Sequence, residues 1–107
     1  MYTRIVECQV KTGKKDEFTN KLHNEVLPIL RQQPGFVDLV SLLSEKNSER
    51  MISISFWNSK DEAERYQREH YKGIVEILKP LIKRDPTVET YTVDTSTTHH
   101  IAAGKAA

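Results

Sequence analysis

"FVDLVSLLSEKNSERMISISFWNSKDE", residues 36–62, decides the fold. Two runs rich in β-branched and aromatic residues, "FVDLVSLLS" and "RMISISFW", flank the polar stretch "EKNSE" with Asn47 near its tip. That pattern predicts a β-hairpin. Ile52, Ile54 and Phe56 form one wholly apolar face, while Met51, Ser53, Ser55 and Trp57 form a mixed one, so both faces of the sheet are expected to be covered. Ser59 followed three residues later by Glu62 is a capping box, in which hydroxyl and carboxylate each satisfy a free N–H, and it predicts a helix starting there.

Downstream, Ala63, Tyr66, His70, Ile74, Ile77, Leu78 and Leu81 follow helical spacing, with an irregularity expected near His70 to Gly73 and a stop around Pro80. "TVETYTVDT" then alternates and predicts a last strand. Upstream, Phe18, Leu22, Val26, Ile29 and Leu30 form an apolar helical stripe, which the Pro34–Gly35 pair stops. Pro28 offers no N–H to Asn24 and should kink that helix or mark its last full turn. At the N-terminus, Val6, Cys8 and Val10 share one face of a first strand. The order β-α-β-β-α-β predicts an α+β, ferredoxin-like split fold, a four-stranded antiparallel sheet with both helices on one face.

A chain of 107 residues supports one domain, here residues 1–95, followed by a tail, residues 96–107, without periodicity. A formal net charge of +1 creates no field to steer toward nucleic acid or an acidic membrane surface. No apolar run approaches the ~20 residues of a membrane span. Cys8 is the one cysteine, which excludes an intrachain disulfide, and the N-terminus alternates where a secretion signal would be continuously apolar. A cytoplasmic protein is expected. Two helices cover one sheet face only, and Val37, Leu39, Leu43, Phe36, Val40 and Leu42 keep the hairpin apolar on both sides. The expected remedy is a homodimer through the open sheet face, with the tail lying on the partner. At about 25 cal/mol per Å², burying ~800 Å² per subunit is a substantial driving force, partly offset by association entropy.

The run "PGFVDLVSLLSEKNSERMISISFWNSKDEAERY", with "PILRQQPGF" before it and "YKGIVEILKPLI" after it, resembles the antibiotic biosynthesis monooxygenase family of dimeric α+β barrels. The resemblance spans Val6 to about Val93. It rests most on the "PGF" turn and on the "FWNSKDEAE" junction where Trp57 ends the third strand. It implies a cofactor-independent monooxygenase, with no flavin, haem or metal, acting with O₂ on a small phenol or hydroquinone. Of the family's polyketide-oxidising pocket residues, Trp57 matches, whereas Ser53 and Ala63 stand where that branch has Asn and Tyr. The haem-degrading branch's polar and ligand positions fall on Val6, Tyr66 and Glu76, which places haem degradation behind oxygenation.

The role assignments follow. His70 is the candidate proton acceptor, Tyr66 orients the substrate, Trp57 is an aromatic wall, and Ser53 is a weaker polar contact. Each has a structural reading beside it: Trp57 as an anchor, Tyr66 as core, His70 as a neutral hydrogen-bonded core imidazole. Cys8 reads as a small buried hydrophobe. His99 and His100 are adjacent and His23 is remote in sequence, so no helical metal pair is expected. The alternative function is a non-catalytic dimer of the same fold that binds a small aromatic or hydrophobic ligand, or a structural protein whose cavity is filled by its own side chains.

Overall fold

The computed structural model describes residues 1–101; of the tail 96–107, which the sequence leads one to expect on a partner, residues 102–107 lie outside the described residues. Four strands, β1 (Tyr2–Gln9), β2 (Phe36–Leu43), β3 (Arg50–Trp57) and β4 (Thr87–Thr92), form an antiparallel sheet in the order β2-β3-β1-β4. Two helical arms connect them. The first comprises α1 (Lys15–Lys21), a π-helical turn (Leu22–Val26) and α2 (Leu27–Arg31); the second comprises α3 (Lys60–Glu69), α4 (Tyr71–Leu78) and a 3₁₀ turn (Lys79–Leu81). This is the ferredoxin-like α+β architecture.

Proline explains the first arm's irregularity. Pro28 cannot donate to Asn24, and its ring would collide with that carbonyl in a regular helix. The chain widens just before it, so that the Leu27 N–H reaches back to the Leu22 carbonyl, and α2 then carries Pro28 in its first turn. The helix thus continues for one short segment beyond the strain. In the second arm the Ser59 hydroxyl accepts the Glu62 N–H at 3.3 Å and lies 3.0 Å from the Glu62 carboxylate. The reciprocal contact therefore joins the two side chains, and Glu62 also packs against Gly35. That glycine turns the chain into β2 at φ +82°, where a Cβ would run into the Glu62 carboxylate. His70 breaks the arm at φ −129°, inside the interval the spacing marked.

Register divides the sheet into two faces. Arg4, Val6 and Cys8 on β1 pair with Ser55, Ser53 and Met51 on β3, and this face meets the helices. Its core comprises Cys8, Val10, Met51 and Trp57 against Phe18, Leu22, Val26, Leu30, Tyr66, Ile74 and Leu78. A bulge between Phe36 and Asp38 shifts the register of β2. The simple alternation read from the sequence put Phe36 opposite Leu39; the bulge corrects it by bringing Phe36 beside Trp57 and Leu39 beside Ser55, both on the helix side.

The other face carries Ile5, Ile52, Ile54, Phe56, Val40 and Leu42. Val40, Leu42 and Tyr91 are among its large exposed apolar groups. Part of it is covered by the chain itself, because a turn closed by the Ser96–Ile101 bridge sets His99 against Phe56 with ring centroids 5.3 Å apart. No helix among the described residues is long and apolar enough to cross a membrane.

Candidate functional site

Between sheet and helices lies a narrow apolar cavity of about 40 Å³. β1 contributes Arg4, Val6 and Cys8, β3 contributes Ser53 and Ser55, and the second arm contributes Tyr66 and Tyr71. Alternation along β1 and β3 puts these residues on the helix side, and the helical spacing of Tyr66 and Ile74 turns them to meet it. By comparison, a cavity that admits benzene is on the order of 150 Å³. A ring therefore needs room beyond this narrow space, and two grooves adjoin it. One, about 260 Å³, runs between α3 and the sheet along Tyr2, Arg4, Ala63, Gln67, Val88 and Thr90. The other, about 390 Å³, lies beside Gln67, Tyr71, Glu76 and Asp85. The first groove opens where β4, an edge strand exposed along its whole length, contributes Val88 and Thr90.

Arg4 is the unexpected member. Its side chain is almost entirely buried, at 3 % exposure, with the guanidinium carbon 5.0 Å from the Tyr66 ring centroid and 4.6 Å from that of Tyr71. Gln67 Oε1 accepts a hydrogen bond from its Nη2. Among the described residues no carboxylate pairs with it. A guanidinium is a weakly hydrated cation that stacks on aromatic faces, which is how such a charge is tolerated here. Burial lowers its pKa from the ordinary value, opposed by the neighbouring phenols.

The surrounding groups respond to the same burial. It pushes the Tyr66 and Tyr71 phenols up to about 12 against the pull of Arg4, and the Cys8 thiol up to about 11 with help from Glu7. Cys8 is thus a protonated, buried thiol, as its neighbours in sequence implied. The Tyr71 hydroxyl is buried and has no hydrogen-bond partner among the described residues. An unsatisfied buried hydroxyl costs on the order of 1–3 kcal/mol.

The sequence-derived residues divide in two. Ser53 and Tyr66 line the cavity. Trp57 stands behind them, fully buried, stacked on Tyr66 at 5.0 Å and donating from Nε1 to Ser55 Oγ at 2.9 Å. His70 is at the break between α3 and α4, half-buried, and is not among the described residues lining the cavity. Sequence reasoning missed Arg4 and Gln67 as site members, whereas Tyr71 belongs to the aromatic stretch 55–73 whose sequence suggests a cavity wall. The available signal was Arg4's position two residues before Val6, a charge on an otherwise apolar strand face.

Comparison with known proteins agrees with this fold. Residues 1–76 match the family model described as antibiotic biosynthesis monooxygenase. SnoaB, a cofactor-independent oxygenase from Streptomyces nogalater, superposes with a TM-score of 0.74 at 18% identity over 90% of this chain and 95% of its own. A conserved protein from Methanosarcina mazei Go1 gives 0.70 at 22% identity over 85% and 91%. A protein of unknown function from Nitrosomonas europaea gives 0.75 at 11% identity over 90% and 91%. At these identities the likeness is one of fold. No curated protein matches the sequence. With the family model covering most of its length, the chain belongs to the antibiotic biosynthesis monooxygenase family.

Proposed function

We propose that the protein is a cofactor-independent monooxygenase acting on a small phenol or hydroquinone-type aromatic with O₂. The observation that supports this best is the meeting of Tyr66, Ser53 and the buried Arg4 at one apolar cavity. For a phenol with a free para carbon, the phenolate passes one electron to O₂, and the resulting phenoxyl radical and superoxide join at that carbon. The hydroperoxide then takes up a proton, loses the ring C–H proton and breaks its O–O bond. One oxygen atom remains in the quinone and the other leaves as water. The protein contributes a dry site, polar groups that hold the substrate, and an aromatic wall of Tyr66 backed by Trp57.

The expected result is O₂ uptake with at least one member of a phenol and hydroquinone panel, one atom of ¹⁸O₂ appearing in the product by mass spectrometry. Uptake that releases hydrogen peroxide with no label in the product would remove the monooxygenase reading. His70 remains the sequence-derived base, and His70→Ala tests it: loss of a working base lowers the rate by about 10² to 10⁴. From its position off the cavity wall, the expected result is a rate close to wild type, with proton loss assigned to the substrate itself.

A second reading is a non-catalytic dimer of the same fold that binds a small aromatic or hydrophobic ligand or is structural, and the cavity's small size favours its structural form. Absence of O₂ uptake across the panel would establish it over the first, with ligand binding separating its two forms.

Assembly belongs to the same proposal: a homodimer through the open sheet face, centred on Val40, Leu42, Ile52 and Ile54, with the tail after Thr95 at its rim. Leu42 is 44 % exposed and Tyr91 48 % exposed, an apolar surface that a second sheet would remove from water. Sedimentation at micromolar concentration should show a dimer, weakened but still folded when residues 96–107 are deleted. A compact monomer would refute the interface, and an unchanged dimer after truncation would refute the tail's part in it.

A further inference from the structure

The geometry points to Arg4 and Tyr71, with Gln67 holding the guanidinium in place, as a built oxyanion site, so that the ligand is bound as its anion, a phenolate or enolate, with the negative oxygen at the Arg4 guanidinium. This deepens the proposed function and rests on the cavity described there. Two independent observations meet at this point. The first is a buried cation that no carboxylate among the described residues neutralises, held by Gln67 and stacked against two phenol rings. The second is the buried Tyr71 hydroxyl, a donor without an acceptor on the same cavity. An anionic oxygen supplies what both lack, a counter-charge for the guanidinium and an acceptor for the hydroxyl.

Space agrees with charge. The cavity itself accommodates little more than the anionic head, whereas the groove along Tyr2, Ala63, Val88 and Thr90, which Arg4 also lines, has room for a flat ring. Glu64 borders that groove, but its carboxylate lies 3.8 Å from Lys60 Nζ and is exposed. In the low-dielectric setting of Arg4, an ion pair with the ligand is stronger than the same pair in water, which favours ionisation of the bound phenol. Arg4 is in this role a binding residue that lowers the substrate's pKa, and it makes a separate side-chain base unnecessary.

The test is equilibrium binding of 4-nitrophenol, whose phenolate has its own visible absorption band, titrated across its ionisation range with O₂ excluded. The wild type should bind the phenolate at least about tenfold more tightly than the phenol, seen as a drop of one unit or more in the bound ligand's pKa. Equal affinity for the two forms, preference for the neutral form, or no binding of either would overturn the inference. Arg4→Gln should abolish the preference, and its retention in a folded Arg4→Gln protein would also overturn it. Tyr71→Phe covers the case in which that variant does not fold, since it removes a hydroxyl that has no partner to lose. It should cut phenolate affinity by about tenfold while leaving phenol binding nearly unchanged, and an unaltered preference would overturn the shared site. The outcome is separable from catalysis. Phenolate preference without O₂ uptake on the panel would remove the oxygenase reading and leave the anion site, whereas uptake without preference would do the reverse.

Discussion

Trp57→Ala is expected to lower the unfolding free energy by about 3–5 kcal/mol, the range for removing a large aromatic side chain from a packed core. Trp57 is 0 % exposed and touches three different parts of the fold. It stacks on Tyr66 of α3 at 5.0 Å, meets the edge of Phe36 on β2 at 5.6 Å, and bonds Ser55 on its own strand. Truncation thus leaves a void where hairpin, helix and the "PGF" turn converge, and it strands a hydroxyl. Collapse into the void is opposed by β2 and β3, which are tied together by their ladder. Against a total stability of about 5–15 kcal/mol, much of the folded population's margin would disappear. Urea titration is the measurement, with Trp57→Phe as the milder companion. A loss below about 1 kcal/mol would show that Trp57 is not the anchor described. Because Tyr66 loses its stacking partner, ligand binding should weaken in the same variant, so this substitution cannot isolate chemistry.

The hairpin and the order of elements are legible because each is written locally: period-two runs, a polar turn, a capping serine and glutamate, a proline–glycine stop. Even the break at His70 falls inside the interval, His70 to Gly73, where the sequence leads one to expect an irregularity. The β2 bulge does not, because one extra residue leaves the alternation on either side intact, and only pairing with β3 reveals that Phe36 and Leu39 face the same way. The site is legible by halves for a similar reason. Tyr66, Trp57 and Ser53 sit on elements whose facing follows from their period. His70 shares the helical stripe, yet the break it creates removes it from the cavity wall, so its own irregularity defeats the spacing argument. Arg4 and Gln67 are joined across 63 positions, and no local pattern encodes that contact. Alternation alone would have set Arg4 on the face of Val6 and Cys8. A charge there is the anomaly that sequence reasoning should follow.

Alkaline pH should unfold the protein earlier than its ordinary composition suggests. Burial raises the Cys8 thiol from 9.0 to about 11, and the Tyr66 phenol from 10.0 to about 12. The Tyr71 phenol also rises to about 12, by burial and with the Cys8 and Asp85 charges adding to it. All three are acids whose folded values exceed their unfolded ones. In the window between, the unfolded chain has lost the proton and the folded chain keeps it, so the unfolded state binds fewer protons and stability falls as pH rises. Stability from these groups is complete below about pH 9 and is lost progressively toward pH 12, at about 1.4 kcal/mol per group for each pH unit inside its window. Tyr71 counts for less because its ring is partly exposed and solvent screens it. Arg4 acts with the opposite sign, since burial lowers its folded value. The loss from the three acids is on the order of several kcal/mol, a large share of total stability. Urea midpoints from about pH 8 to pH 11 should decline steeply, and Tyr66→Phe should flatten the slope even though it weakens the site. Tyrosinate absorbance offers the independent check: Tyr66 and Tyr71 should ionise only as the chain unfolds. A flat stability profile, or tyrosines that all titrate at their ordinary value in the folded protein, would mean that these phenols are not enclosed around Arg4 as described.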